Sequence, residues 1–153
     1  MLGRSTKLGI LLAGAVLAVV VARTDAPAGD SAAAPRVTVK VDTAKWESGY
    51  GARFFQVVGS VANEGGTPVG AVLIRTDLLD AKGAVVAHAD CWNGGAESLG
   101  DADAGAARAQ LGAAKLKPIP PGGSDRWRCT FLDEDTPAFD SHRVSTVAVL
   151  PAP

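Results

Sequence analysis

The chain of 153 residues holds two cysteines, Cys91 and Cys129, and the first lies in the run HADCWN at 88–93. Three chemistries suit these residue types. A thiolate with an imidazole in hydrogen-bond reach is a nucleophile. Both cysteines with His88 and His142, the only two histidines, would make a zinc ligand set. Two cysteines in an oxidising compartment make a disulfide. The choice depends on where the backbone aims each side chain. On an extended strand, residues three apart point to opposite faces, so His88 diverges from Cys91 and weakens both the zinc and the thiol–imidazole readings. His142 stays open to either.

A second cluster of chemical groups is the acidic run DEDTPAFD at 133–140, with Asp133, Glu134, Asp135 and Asp140. Carboxylates near one turn could hold calcium, which accepts flexible oxygen ligands. The run lacks the spaced Asp-x-Asp-x-Asp-Gly pattern, so a solvated loop is expected and no metal is assigned. No Gly-x-Ser-x-Gly turn occurs, and no glycine-rich phosphate loop precedes a helix. Paired carboxylates for glycoside cleavage would need a cleft that one small domain rarely provides. The reading is therefore a protein that is not an enzyme and carries no cofactor. A formal net charge of −1 leaves no basic footprint for nucleic acid.

The N-terminus sets the compartment. Arg4 and Lys7 precede LGILLAGAVLAVVVA at 8–22, an unbroken run of apolar residues and glycine. Small-residue cleavage patterns follow at Val20-Val21-Ala22, Ala26-Pro27-Ala28 and Ala32-Ala33-Ala34. This is the layout of a secretory signal peptide, so residues 1–22 are expected to be a signal peptide or, if uncleaved, a membrane anchor. The 15-residue run is short for a span, which needs about 20 residues, and this favours cleavage. No cysteine follows the run, so a lipoprotein is not expected. Residues 23–35, RTDAPAGDSAAAP, read as a flexible linker. The expected location is extracytoplasmic: periplasmic, secreted or membrane-anchored.

From Arg36 the pattern alternates with period two. RVTVKVD places Val37, Val39 and Val41 on one face, the signature of a strand with one buried side. RFFQVVGSVAN, VGAVLIRTDLLD, AVVAHADCW, RWRCTF and HRVSTVAVL read as further strands. VGAVLIRTDLLD, the third strand of the chain, is long enough to lie centrally. NEGGTP and DAKG supply turns, with Gly83 suited to a positive φ. DADAGAARAQLGAA at 101–114 is the one helix candidate; with Leu111 its only large apolar residue, it should bury little, as a surface helix or mobile loop within the loop excursion 93–117. Residues 36–153 are thus expected to form a single all-β domain, an antiparallel immunoglobulin-like β-sandwich of six to seven strands.

VVGSVANEGGTPVGAVLIRTDLLDAKGAVV resembles the core of FxLYD-type domains, which run strand, Gly-x-Val-x-Asn, loop, long strand, leucine-rich tail, Asp-x-x-Gly turn, strand. IPPGGSDRWRCTF is similar to their Pro-Gly turn before a strand ending in an aromatic residue. The resemblance covers roughly residues 54–131; in TDLLD, Leu78 and Asp80 match the named motif, while Thr76 replaces its Phe and Leu79 its Tyr. It implies a small extracytoplasmic β-sandwich of bacteria or archaea, with no catalytic residues to carry over.

Period-two reading puts Cys91 on one face with Val85, Ala87 and Ala89, and Cys129 on one face with Trp127 and Phe131. Both cysteines then point inward, and a Cys91–Cys129 disulfide is expected. It would stabilise a domain poor in aromatic residues by roughly 4 kcal/mol for a loop of about 39 residues. Trp46 and Tyr50, in KWESGYGARFF between the first two strands, either plug the open end of the core or stand exposed; with Trp92 they are the candidate interaction surface. The function expected is a non-enzymatic cell-envelope module acting through protein–protein or structural interaction. Its partner would be another envelope protein, with membrane contact only through an uncleaved N-terminal segment. The alternative is a periplasmic ligand- or metal-handling protein.

Overall fold

The computed structural model describes residues 35–153. The expected signal or anchor segment 1–22, and residues 23–34 of the expected linker, lie outside the described residues. Six strands follow: β1 (Val37–Gly49), β2 (Ala52–Asn63), β3 (Val69–Leu79), β4 (Val85–Trp92), β5 (Ser124–Leu132) and β6 (Ser141–Pro151). They form two antiparallel three-stranded sheets, ordered β1-β2-β5 and β4-β3-β6. The all-β expectation holds, with β3 central as its length required.

The main core lies between the sheets. Phe55, Val57 and Val61 of β2 and Trp127, Cys129 and Phe131 of β5 meet Val72, Ile74 and Leu78 of β3. Gly59 is the small residue in this wall. A Cβ there would lie 2.6 Å from the Trp127 ring and 2.0 Å from the carbonyl oxygen of Lys40, so the indole packs over bare backbone. The Trp127 Nε1–H donates to the Ser60 carbonyl at 3.2 Å.

Three expectations need correction. β1 does not end near Asp42 but continues to Gly49, with a register shift between Val41 and Thr43. One extra residue reverses the inward phase: Val37 and Val39 point inward before it, Ala44 and Trp46 after it, and Val41 is left 36% exposed. A second irregularity, between Leu78 and Leu79 opposite β4, turns Val85 out to 48% exposure and puts Val86 on the core instead. The third correction concerns the excursion. Its helix candidate is the short surface helix expected, α1 at Ala104–Gln110, which buries only Ala107 and is capped by the Asp103 carboxylate accepting from the Ala106 N–H at 2.8 Å. Ahead of it, however, the chain folds as a 3₁₀ turn at Gly94–Leu99 and not as plain loop.

Ala96, Leu99 and Ala107 from the excursion pack with Ala71, Leu73, Trp92 and Leu150 in a second apolar cluster. Neighbouring residues on a strand face opposite ways, so this cluster covers the outer side of the β4-β3-β6 sheet. Small alanines suffice there because they let the segment approach closely. Beyond its cover the same face carries ion pairs instead. Arg75 binds Asp90 with two nitrogens at 2.7 Å each, and Arg143 reaches Asp77 at 2.7 Å. The Arg75 hydrogen bonds hold the Asp90 carboxyl below its usual range.

One polar atom in the core is unmatched. Thr76, fully buried in β3, has no hydrogen-bond partner for its hydroxyl among the described residues. An unmet buried hydroxyl costs free energy that an equally shaped apolar side chain avoids. Thr76→Val is expected to raise stability by about 1 kcal/mol, read as a shift of the urea unfolding midpoint with unchanged slope.

Candidate functional site

Cys91 and Cys129 are joined, with an S–S distance of 2.06 Å and Cα atoms 5.5 Å apart. β4 is an edge of one sheet and β5 an edge of the other, so the bond closes one flank of the sandwich from sheet to sheet. It leaves no free cysteine, and with it the thiol nucleophile and the thiolate zinc site fall away. His88 is exposed on the face of β4 opposite Cys91 and stands across from Asp77 in the strand register. His142 packs its ring 6.1 Å from that of Phe55. Among the described residues no group of three or more His, Cys, Asp or Glu side chains gathers to hold a metal ion. In the acidic run, Asp133 turns toward Arg53 at 3.7 Å. The disulfide suggests an oxidising, extracytoplasmic setting. No helix among the described residues is long and apolar enough to cross a membrane.

Just beyond the bond, hydrogen bonds fix the root of the excursion. Asn93 is fully buried. Its Oδ1 accepts from the Val72 N–H at 2.7 Å, and its Nδ2 donates to Asp125 Oδ2 at 2.7 Å. The same carboxylate oxygen accepts the Gly95 N–H at 2.6 Å, and the Gly95 carbonyl accepts the Lys117 N–H at 2.7 Å. A Cβ at Gly95 would meet the Lys117 carbonyl oxygen at 2.3 Å, so this approach requires glycine. Burial opposes ionisation of Asp125, but hydrogen bonds from Gly95, Asn93 and Arg126 outweigh it and hold the carboxyl below its ordinary value.

The pinned excursion makes one wall of an open groove of about 580 Å³. The floor is the outer face of the β1-β2-β5 sheet, where Val58 and Gln56 lie between charged neighbours on β1 and β5. Lys45 pairs with Glu47 at 2.7 Å, and Asp90 is engaged by Arg75. Four charges remain: Arg126 and Arg128 on the floor, Glu97 and Asp101 on the wall. Among the described residues none of these four enters an ion pair within 4.0 Å.

The three aromatic residues expected at a contact surface separate. Trp46 belongs to β1 and is half-buried against Phe55, with ring centroids 5.6 Å apart and the Arg53 guanidinium 4.5 Å above its ring. Trp92 is only 6% exposed, its Nε1–H donating to the Ala102 carbonyl at 3.1 Å. It faces outward from its sheet as an exposed residue would, but the excursion covers it. Tyr50 alone stands free, at 109% relative exposure. It and Gly51 form the two-residue β1–β2 turn with φ values of 52° and 81°, the positive pair of a type I′ turn. The groove was the feature missed in the sequence. Arg126 and Arg128 were visible as outward residues, but nothing local placed Glu97 and Asp101 opposite them.

Two outcomes follow from the flank. Replacing both cysteines by alanine should lower stability by about 4 kcal/mol, read by denaturant unfolding with and without reductant. Reductant should then affect the native protein alone. Asp125→Asn should cost about 1 kcal/mol at neutral pH. The folded carboxyl titrates below its unfolded value of about 3.9, so its contribution is full above that pH and is lost as pH falls through the lowered folded value. The difference in melting temperature between native and Asp125→Asn proteins should therefore shrink only below about pH 4.

No protein family, curated protein or solved structure matches this chain.

Proposed function

We propose that this chain is a non-enzymatic β-sandwich module of the cell envelope that acts by protein–protein contact, with the β1–β2 hairpin tip as its contact point. The observation that carries this reading is Tyr50. The left-handed backbone at φ 52° disfavours a residue with a side chain such as tyrosine, and a type I′ turn prefers Asn or Gly there. The ring is fully solvent-exposed and so offsets none of that cost by packing. Residues held in a disfavoured conformation without benefit to the fold point to function. A tyrosine offers a partner large amphipathic area at a small entropy cost.

The surroundings suit a contact. Leu132 is 45% exposed, and a hollow of about 260 Å³ lined by Gly51, Arg53, Leu132, Asp133 and Glu134 lies beside the turn. Export is supported by the charged-then-apolar layout of residues 1–22 and by the disulfide. The resemblance of residues 54–131 to FxLYD-type domains agrees with a non-catalytic envelope role.

A photo-activatable phenylalanine analogue at position 50, in the producing cells, should yield one discrete cross-linked adduct. The same analogue at exposed Val85 should not. Tyr50→Asn should melt higher, by about 1 kcal/mol, and fail to compete with the labelled protein for that adduct. Equal adduct yields from both positions, or none from position 50, would remove the hairpin tip from consideration.

A further inference from the structure

We propose that the groove between the β1-β2-β5 sheet and the excursion binds a short peptide in its zwitterionic form. Arg126 and Arg128 would take the carboxylate, and Glu97 and Asp101 the ammonium group. The groove does not include Tyr50, so this inference stands apart from the contact at the hairpin tip.

The argument begins with charges that the fold leaves unneutralised. Arg126 and Arg128 are two residues apart on β5 and both exposed, so they project from one face, about 7 Å apart along the strand. Glu97 lies in the 3₁₀ turn and Asp101 just after it, both exposed. Flexible side chains of opposite sign in one groove would ordinarily collapse onto each other. Here each set stands on separately anchored backbone, and among the described residues none of the four pairs with another within 4.0 Å. β5 is held by its ladder to β2, and the excursion's root by the disulfide, Asn93 and Asp125. The result is a concave surface with cations on the floor and anions on the wall.

Sign decides the ligand class. The four charges sum to zero, so a purely anionic or purely cationic ligand gains from one set and is repelled by the other. A ligand with both charges gains from both, and inside a groove that attraction is less screened than on open surface. On β2, beside the arginines and away from the wall, the floor offers the Gln56 carboxamide, which can both donate to and accept from a peptide amide. Half-buried Val58 beside it supplies apolar contact. The volume of about 580 Å³ falls within the range of small-ligand sites, roughly 300–1,000 Å³.

The test is calorimetric titration of the full disulfide-bonded chain with trialanine, and with trialanine acetylated at its N-terminus or amidated at its C-terminus. Trialanine should bind, and blocking either end should weaken binding by at least about tenfold, the worth of one charge-assisted hydrogen bond. Arg126→Gln with Arg128→Gln should abolish sensitivity to C-terminal amidation while keeping sensitivity to acetylation. Glu97→Gln with Asp101→Asn should do the reverse. Tyr50→Asn should bind trialanine as the native protein does.

The comparison of blocked and free peptides uses native protein, so it stands even where a variant folds poorly. No binding of trialanine at millimolar concentration would overturn the proposal. So would indifference to both blocking groups, or equal binding of acetate alone, which would mark a simple anion site. Equal binding to phosphatidylcholine vesicles would assign the groove to a zwitterionic lipid headgroup instead.

Discussion

Six strands in two sheets of three leave only β2 and β3 flanked on both sides, so the other four strands are edges. The covalent join between two of those edges, Cys91 on β4 and Cys129 on β5, is the constraint on which the rest of the molecule leans. Ladder hydrogen bonds hold strands within a sheet but do not hold one sheet to the other. That task falls to the apolar layer between them, which here contains many valines and few large rings. A bond across the flank fixes the spacing of the sheets where the chain leaves β4 for its longest connection. Asn93 and Asp125 then extend the fixed point by one turn, using a buried amide and a carboxylate that satisfy each other and the nearby backbone N–H groups.

The two outer faces of the sandwich have opposite fates because of that anchored connection. The excursion folds back over the β4-β3-β6 sheet, and Trp92, Leu73 and Leu150 become interior residues of a second cluster. β3 is accordingly buried on both sides over its first half, and its sequence there is continuously apolar rather than alternating. Among the described residues the β1-β2-β5 sheet receives no such cover. Its outer face keeps lysine and arginine, and the flank of the excursion stands beside it as a wall. One segment therefore makes both the second core and the groove.

Parts of this were legible in the residues alone. The six strands, the DAKG hairpin with Gly83 at φ 80° and the inward direction of Trp127, Cys129 and Phe131 all follow from local alternation and turn chemistry. The phase errors at Val41 and Val85 share one cause. A bulge adds a residue without any compositional mark, and every side chain beyond it changes face. Trp92 was misplaced for a different reason. Period two says which way a side chain points, and says nothing of what lies in that direction.

What the sequence determined by itself is what depends on neighbours along the chain: the strands, the turns and the facing of both cysteines toward the interior. Backbone stereochemistry and hydrophobic alternation act over a few residues, so they can be read there. What only the tertiary structure decided is what depends on residues distant in the chain. The disulfide's role as a flank closure, the burial of Trp92 and the placement of Glu97 and Asp101 opposite Arg126 and Arg128 all arise from where the excursion lands. That landing is set by alanine packing and by a single buried asparagine, whose partners lie 21 and 32 residues away in the chain. Tyr50 belongs partly to each. The sequence placed it in the connection between the first two strands, but its two-residue turn and full exposure emerged only when β1 ran on to meet it.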